Sequence, residues 1–222
     1  MKIRQLHDWD ISYEEARKIQ VELSSEVATC NKLPPVGYIA GIDTSTVSAN
    51  RGRSAAVIFS YPDLKLIEYK TAEAEFNFPY IPGLLSFREA PIILLALEKI
   101  EHTPDLIFVD GQGLAHPRKF GIASHLGLIL EIASIGCAKS RLCGAYQDVP
   151  SGRESYSHLM QNDEIIGAVV RTKSEVKPVF VSIGHLIDLE SCIQWTLNCS
   201  TRYRLPEPCR QAHLTCSRIG EL

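Results

Sequence analysis

The stretch Leu106-Ile107-Phe108-Val109-Asp110-Gly111 decides the fold. A short run without a polar residue, rich in branched and aromatic side chains, follows the breaker Pro104 and stops at an acid and a glycine. A strand apolar on both faces is of the kind buried in a parallel arrangement under helices on either side. Upstream of it, Phe87 to Ile100 carries Ile92, Ile93, Leu94, Leu95, Leu97 and Ile100 on one broad face and reads as a buried helix with Glu89 near its start. Downstream, Ile122 to Ala133 reads as a second helix and Ser134 to Ala138 as another strand. Further back, Tyr38-Ile39-Ala40-Gly41-Ile42 is a strand expected to end at Asp43. Ala55 to Tyr61 and Leu66 to Ala74 then complete an antiparallel meander around the turns Asn50-Arg51-Gly52 and Tyr61-Pro62-Asp63.

At the N-terminal side, Ser12-Tyr13-Glu14-Glu15 is a capping box opening a helix expected to run to about Asn31. Glu164 to Arg171 and Pro178 to Ser182 read as a later strand pair, and Asp188 caps a helix reaching about Asn198. Pro206 and Pro208 introduce a short last helix. Gln147 to Asn162, rich in Ser, Gly and Asp, reads as a surface excursion. The expectation is an α/β architecture. Its mixed sheet has three antiparallel strands followed by parallel strands and is flanked by helices, all in one domain over residues 1–222.

Composition narrows the function classes. The chain has 222 residues, 45% hydrophobic and 22% charged, with a net charge of −3, so any polyanion must be met by a local patch. The C-terminal stretch with Arg202, Arg204, Arg210 and Arg218 offers one such patch. The apolar run Ala90 to Leu97 is too short to cross a bilayer, and the first twenty residues lack the apolar core of a secretory signal, so an intracellular protein is expected. Seven cysteines without C-x-x-C spacing read as reduced, mostly buried thiols.

Asp43 and Asp110 are each expected to end a central strand, and Glu89 opens the helix between those strands. If the two strands are neighbours, three carboxylates converge at one edge of the sheet. An all-oxygen set of this kind suits a hard cation, although an Asp before Gly is also an ordinary turn residue. Gly111-Gln112-Gly113 is an incomplete dinucleotide loop, because His116 stands where the third glycine belongs. Those glycines are either a plain turn or a place where bare backbone approaches a flat ligand. Phe78-Pro79-Tyr80-Ile81-Pro82-Gly83 is a proline-stiffened loop. It serves as a plug for the core or as a rigid wedge for a base stack. His213 on the last helix has no assigned role from composition alone.

Taken together, and in this order, several motifs closely resemble the endonuclease V family. They are Gly41-Ile42-Asp43, Phe78 through Glu89, Val109-Asp110-Gly111-Gln112-Gly113, Ala115-His116-Pro117-Arg118, Phe120-Gly121, Ala138-Lys139-Ser140-Arg141-Leu142, Ser182-Ile183-Gly184-His185 and Arg204-Leu205-Pro206-Glu207-Pro208. The resemblance spans nearly the whole chain and implies an RNase H-like fold. It implies a Mg²⁺-dependent DNA repair endonuclease, with Mn²⁺ as a substitute. Such an enzyme recognises deoxyinosine in DNA and hydrolyses the second phosphodiester bond 3′ to the lesion, leaving 3′-hydroxyl and 5′-phosphate ends. Cleavage of inosine-containing RNA is the alternative.

The same resemblance implies roles residue by residue. Asp43, Glu89 and Asp110 would hold the metal, Lys139 would sit beside the scissile phosphate, and His213 would complete the catalytic set. Pro79, Tyr80, Ile81 and Pro82 would form the strand-separating wedge. Gly83, Leu85, Gly111, Gly113, His116, Gly121, Ile122, Gly136 and Leu142 would line the pocket for the extruded base. A monomer in the cytoplasm, with no membrane partner, is expected.

Overall fold

The computed structural model describes residues 1–217; Arg218, counted above in the basic C-terminal stretch, lies outside the described residues. The elements run α1 (Tyr13–Ser24), β1 (Tyr38–Ser48), β2 (Arg51–Ser60), β3 (Leu66–Glu75), α2 (Leu85–Leu97), β4 (Leu106–Val109), α3 (Ile122–Leu130) and β5 (Ala133–Ala138). They continue with β6 (Tyr156–Gln161), β7 (Glu164–Val170), β8 (Val179–His185), α4 (Leu189–Asn198) and α5 (Glu207–Ser217). One mixed sheet joins all the strands in the order β3-β2-β1-β4-β5-β8-β7-β6. The β3-β2-β1 meander is antiparallel and β1-β4-β5 is parallel, as expected; beyond β5 the sheet turns antiparallel again through β8, β7 and β6.

Alternation along the strands divides the core. Ala40 and Ile42 of β1, with Ile107 and Val109 of β4, face α2 and α3, where Ile92, Ile93, Leu126 and Ile129 cover them. Ile39, Leu106, Phe108, Ile135 and Cys137 face the other way, onto α4 and α5 through Ile193, Leu197 and Cys209. Every residue of α3 is buried, which explains its apolar composition.

Ser12 caps α1 as expected: its hydroxyl accepts from the Glu15 amide, and the Glu15 carboxylate accepts from the Ser12 amide at 2.8 Å. Three boundaries depart from expectation. The first helix stops at Ser24 instead of Asn31. The third stops at Leu130 because Glu131 takes a left-handed φ of 54° that lets the chain reverse into β5. Strand β1 does not end at Asp43 but continues to Ser48. Its polar half Thr44-Ser45-Thr46 carries no hydrophobic signal yet pairs in register with Ser54, Arg53 and Gly52 of β2, and Thr44 Oγ1 lies 2.7 Å from Ser54 Oγ. The supposed surface excursion also contains β6. Asn162 and Asp163 both adopt positive φ, the geometry of a tight two-residue hairpin, and fold Tyr156–Gln161 back on β7.

Candidate active site

Register places the first two carboxylates. The parallel pairing of β1 and β4 matches Ile42 with Val109, and the Asp110 amide continues the ladder by donating to the Ile42 carbonyl at 3.0 Å. Asp43 and Asp110 are therefore the next residues on adjacent strands, on the face that carries Phe108 and Ile39. Lys139 follows β5 on the same face, two residues beyond Cys137. Its ammonium lies 2.5 Å from Asp110 Oδ2.

The remaining members arrive on helices from opposite sides of the sheet. Helix α5 packs against β1 at Gly41, where any Cβ would lie 2.0 Å from the Pro208 carbonyl oxygen. Only glycine permits that approach, and it sets α5 low enough for His213 Nδ1 to reach within 2.8 Å of Asp43 Oδ2. The same Nδ1 is 3.3 Å from Lys139 Nζ, so Asp43, His213, Lys139 and Asp110 form a continuous polar chain. Glu89 comes from the first turns of α2. Burial pushes its carboxyl up to about 8, and the charges of Asp43 and Asp110 add to that rise. Burial also raises Asp43, with the Asp110 charge next in weight, against the bond from His213 and the Lys139 charge. Carboxylates that raise one another in this way lie within electrostatic reach at a site that favours added positive charge.

Beside this cluster opens a cavity of about 330 Å³. Asp110 and Lys139 form part of its wall. Gly83, Leu85, Gly111, His116, Gly121, Ile122 and Leu142 line it, and Tyr80, Ile81 and Pro82 stand at it as well. Tyr80 is 70% exposed and Leu142 44%. Pro79 is exposed and does not line the cavity; the loop is held from below by the buried Phe78, whose carbonyl accepts from Arg88 Nη1 at 2.8 Å.

One expectation about the pocket needs correction. Gly113 and Gly136 do not line it. They are packing glycines beneath its floor: a Cβ on Gly113 would meet the Ile183 carbonyl oxygen at 1.9 Å, and one on Gly136 would meet the Gly113 nitrogen at 2.5 Å. His116 lines the cavity, and both its ring nitrogens are committed. Nε2 donates to the Gly83 carbonyl at 2.9 Å and Nδ1 accepts from the Arg118 amide at 3.1 Å. Burial lowers its pKa to about 4, which keeps the ring neutral in that tautomer. It pins the loop and has no nitrogen left to read a base.

Sequence reasoning missed Gln20. It is 1% exposed in the otherwise apolar stripe Ala16, Gln20, Leu23 of α1, and a polar residue inside such a stripe was the available signal. Its amide nitrogen donates to the carbonyls of Gly83 and Phe120, both at 3.0 Å, while its oxygen accepts from Arg118 Nε at 2.6 Å. Arg118 Nη2 donates to the same Gly83 carbonyl at 2.8 Å. Three side chains thus converge on one carbonyl at a residue whose φ of +79° suits glycine. Gln112 was also missed; its amide donates to the Ser140 carbonyl at 3.0 Å and its buried oxygen has no protein partner.

The profile of the endonuclease V family matches residues 21–214. The chain belongs to the endonuclease V family. An endonuclease V of Dehalococcoides mccartyi is 48% identical over 220 residues, covering 99% of both chains. The solved endonuclease V of Streptomyces avermitilis superposes with a TM-score of 0.89 at 39% identity, covering 97% of this chain and 96% of that one. A third similar structure, 27% identical with a TM-score of 0.78 and covering 91% and 95%, is the Ciona intestinalis endonuclease V in complex with a DNA 24mer containing an inosine followed by a ribo-adenosine. As a member of the endonuclease V family the protein is an endonuclease, a hydrolase of phosphodiester bonds. Among the described residues no helix is long and apolar enough to cross a membrane.

Proposed function

We propose that this endonuclease V family member is a Mg²⁺-dependent DNA repair enzyme that takes an extruded hypoxanthine into the cavity and hydrolyses the second phosphodiester bond on its 3′ side. It acts as a single-domain monomer in the cytoplasm, with Mn²⁺ able to replace Mg²⁺. The observation that carries this reading is the meeting of the Asp43, Glu89, Asp110, Lys139 and His213 cluster with a cavity whose rim bears an exposed tyrosine. Binding of inosine DNA by the Ciona relative supports the choice of base.

The residues fit a hard divalent cation. Asp43, Glu89 and Asp110 offer only oxygen, and two of the three are raised by burial and mutual repulsion, a strain that a bound cation relieves. A bound Mg²⁺ supplies Lewis acidity toward the phosphate and eases deprotonation of water.

The chain's own groups do the rest. Lys139 holds a positive charge at the cavity wall, where it offsets negative charge growing on phosphoryl oxygens. Nδ1 of His213 fixes the orientation of Asp43. Tyr80 on its stiff loop fills the gap that the extruded base leaves in the stack, and the glycine-lined wall lets backbone groups approach the base edge. Inosine pairs weakly, so its extrusion costs less than that of a normal purine.

The test is cleavage of 5′-labelled DNA bearing one deoxyinosine, with Mg²⁺ or with EDTA, mapped at nucleotide resolution beside a matched RNA. A Mg²⁺-dependent cut at the second bond 3′ to the lesion, on DNA in preference to RNA, is expected. Cutting that survives EDTA, or a cut on the 5′ side, overturns the reading. Asp110→Ala is expected to lose cutting while still retarding inosine DNA in a gel.

A further inference from the structure

The cation cluster has a neighbour of different chemistry. Cys216 follows His213 by three residues on α5, so both side chains leave the helix on one face. Asp43, His213 and Cys216 each bring one donor atom, oxygen, nitrogen and sulfur, and the three atoms lie within 4.8 Å of one another. A tetrahedral zinc site holds such donors roughly 3.3 to 3.6 Å apart, given Zn–S of about 2.3 Å and Zn–N and Zn–O of about 2.0–2.2 Å. Closing the gap asks for movements within the reach of side-chain rotation. Cys216 is 1% exposed, its sulfur lies 3.4 Å from the His213 carbonyl and 4.0 Å from Ser217 Oγ, and its thiol also interacts with Asp43.

We propose that Asp43, His213 and Cys216 form a Zn²⁺ site that overlaps the site for the hydrolytic cation and shares Asp43 with it. Mg²⁺ takes oxygen donors and has little affinity for a thiolate, whereas Zn²⁺ prefers a mixed nitrogen, oxygen and sulfur set. On binding, the Cys216 thiol gives its proton to solvent and the thiolate becomes a ligand; no electron changes hands. Burial and the Asp43 charge hold the free thiol protonated, so the proton leaves only as the cation arrives, and the negative groups around the cluster favour that cation. Asp110 and Glu89 face the cluster alongside Asp43, while Lys139, 3.3 Å from His213 Nδ1, is held by Asp110. Zinc in this position draws Asp43 and His213 away from the nuclease arrangement, so it acts as an inhibitor. That inhibitory half rests on the proposed function; the binding half does not.

The test uses the full chain under reducing conditions, without nucleic acid. Co²⁺ serves as the visible stand-in and Zn²⁺ displaces it. One equivalent of Co²⁺ is expected to give a thiolate-to-metal absorption band. Cys216→Ser is expected to abolish the band and weaken Zn²⁺ binding at least about tenfold, the lower end of what loss of even a supporting group costs a metal site. In the unaltered chain, zinc-edge X-ray absorption of the one-equivalent complex is expected to show one sulfur scatterer at about 2.3 Å. That second readout does not depend on the variant folding. A band that survives in Cys216→Ser, which points to Cys30 or Cys143, overturns the proposal, as does a zinc-edge spectrum without a sulfur scatterer. If the chain cuts inosine DNA, Cys216→Ser is also expected to need more Zn²⁺ for half inhibition. Absence of cutting removes that arm and leaves the spectroscopic result standing.

Discussion

At the scale of single residues, two side chains carry sharp expectations. Tyr80 is 70% exposed on a loop stiffened by Pro79 and Pro82 and stands at the cavity. Tyr80→Ala is expected to weaken binding of deoxyinosine DNA by about tenfold or more, on the scale of one lost base stack of about 1–3 kcal/mol, and to leave divalent-cation affinity unchanged. Equal loss of both, measured by fluorescence anisotropy and metal titration, would contradict a wedge. Glu89 carries a pH signature. Its ordinary value of 4.5 is raised to about 8, so between these pH values the folded state keeps a proton that the unfolded chain releases. Without divalent ions its contribution to stability is present below pH 4.5 and is lost as pH rises through about 8. Glu89→Gln is expected to flatten the fall of Tm with rising pH in metal-free buffer; an unchanged slope would place the burden elsewhere.

Among the elements, α5 matters most, because it supplies His213 and Cys216 from the far end of the chain to a site begun by β1. Its seat is the close approach of Pro208 to Gly41. Gly41→Ala puts a methyl into backbone that cannot yield as a side chain would. The expected cost is at least the ~1–3 kcal/mol typical of overpacking, and the displaced helix also moves His213 from Asp43. Urea denaturation with a parallel cleavage assay checks this, and a variant as stable and active as the parent would refute it. The loop from Phe78 to Gly83 shows the opposite kind of positioning. Gln20 of α1, with His116 and Arg118 of the loop before α3, fixes the Gly83 carbonyl from outside the sheet. The loop's proline content was visible in the sequence; its anchoring by a helix some sixty residues earlier was not, since periodicity reports burial and carries no information on the partner.

For the whole molecule, the N-terminal segment closes the α2/α3 side of the core through an unusual pair. His7 Nδ1 lies 2.6 Å from the Asp8 carbonyl oxygen, so it donates there, and Nε2 accepts from His125 Nε2 at 2.8 Å. His125 is fully buried among Phe87, Phe120 and Trp9, and its other nitrogen has no partner. Burial lowers both histidines, and it lowers His116 to about 4. The unfolded chain takes up these protons near 6.5 while the folded state resists, so their stabilisation is complete above that value and is lost as pH falls through each lowered value, about 4 for His116. The protein is expected to melt at lower temperature at pH 5 than at pH 7, with His125→Leu reducing the difference. This slope opposes that of Glu89, so the two variants compared by calorimetry separate them. An acid loss identical in His125→Leu would exclude the pair as its source.

What the residues determined alone were the patterns carried by neighbours along the chain. They include the capping box at Ser12, the two-sided apolar strand Leu106 to Val109, the meander before it, and the motifs by which the family was identified. The polar half of β1 and the edge strand β6 escaped notice because their pairing depends on register with distant strands, which leaves little trace in local hydrophobicity. Packing alone could decide that Gly113 and Gly136 sit beneath the pocket floor and that His116 is spent on holding a loop. It also decided that Cys216 comes to rest beside Asp43. Distances between residues far apart in sequence are set by how helices seat on the sheet, and only folding makes that choice.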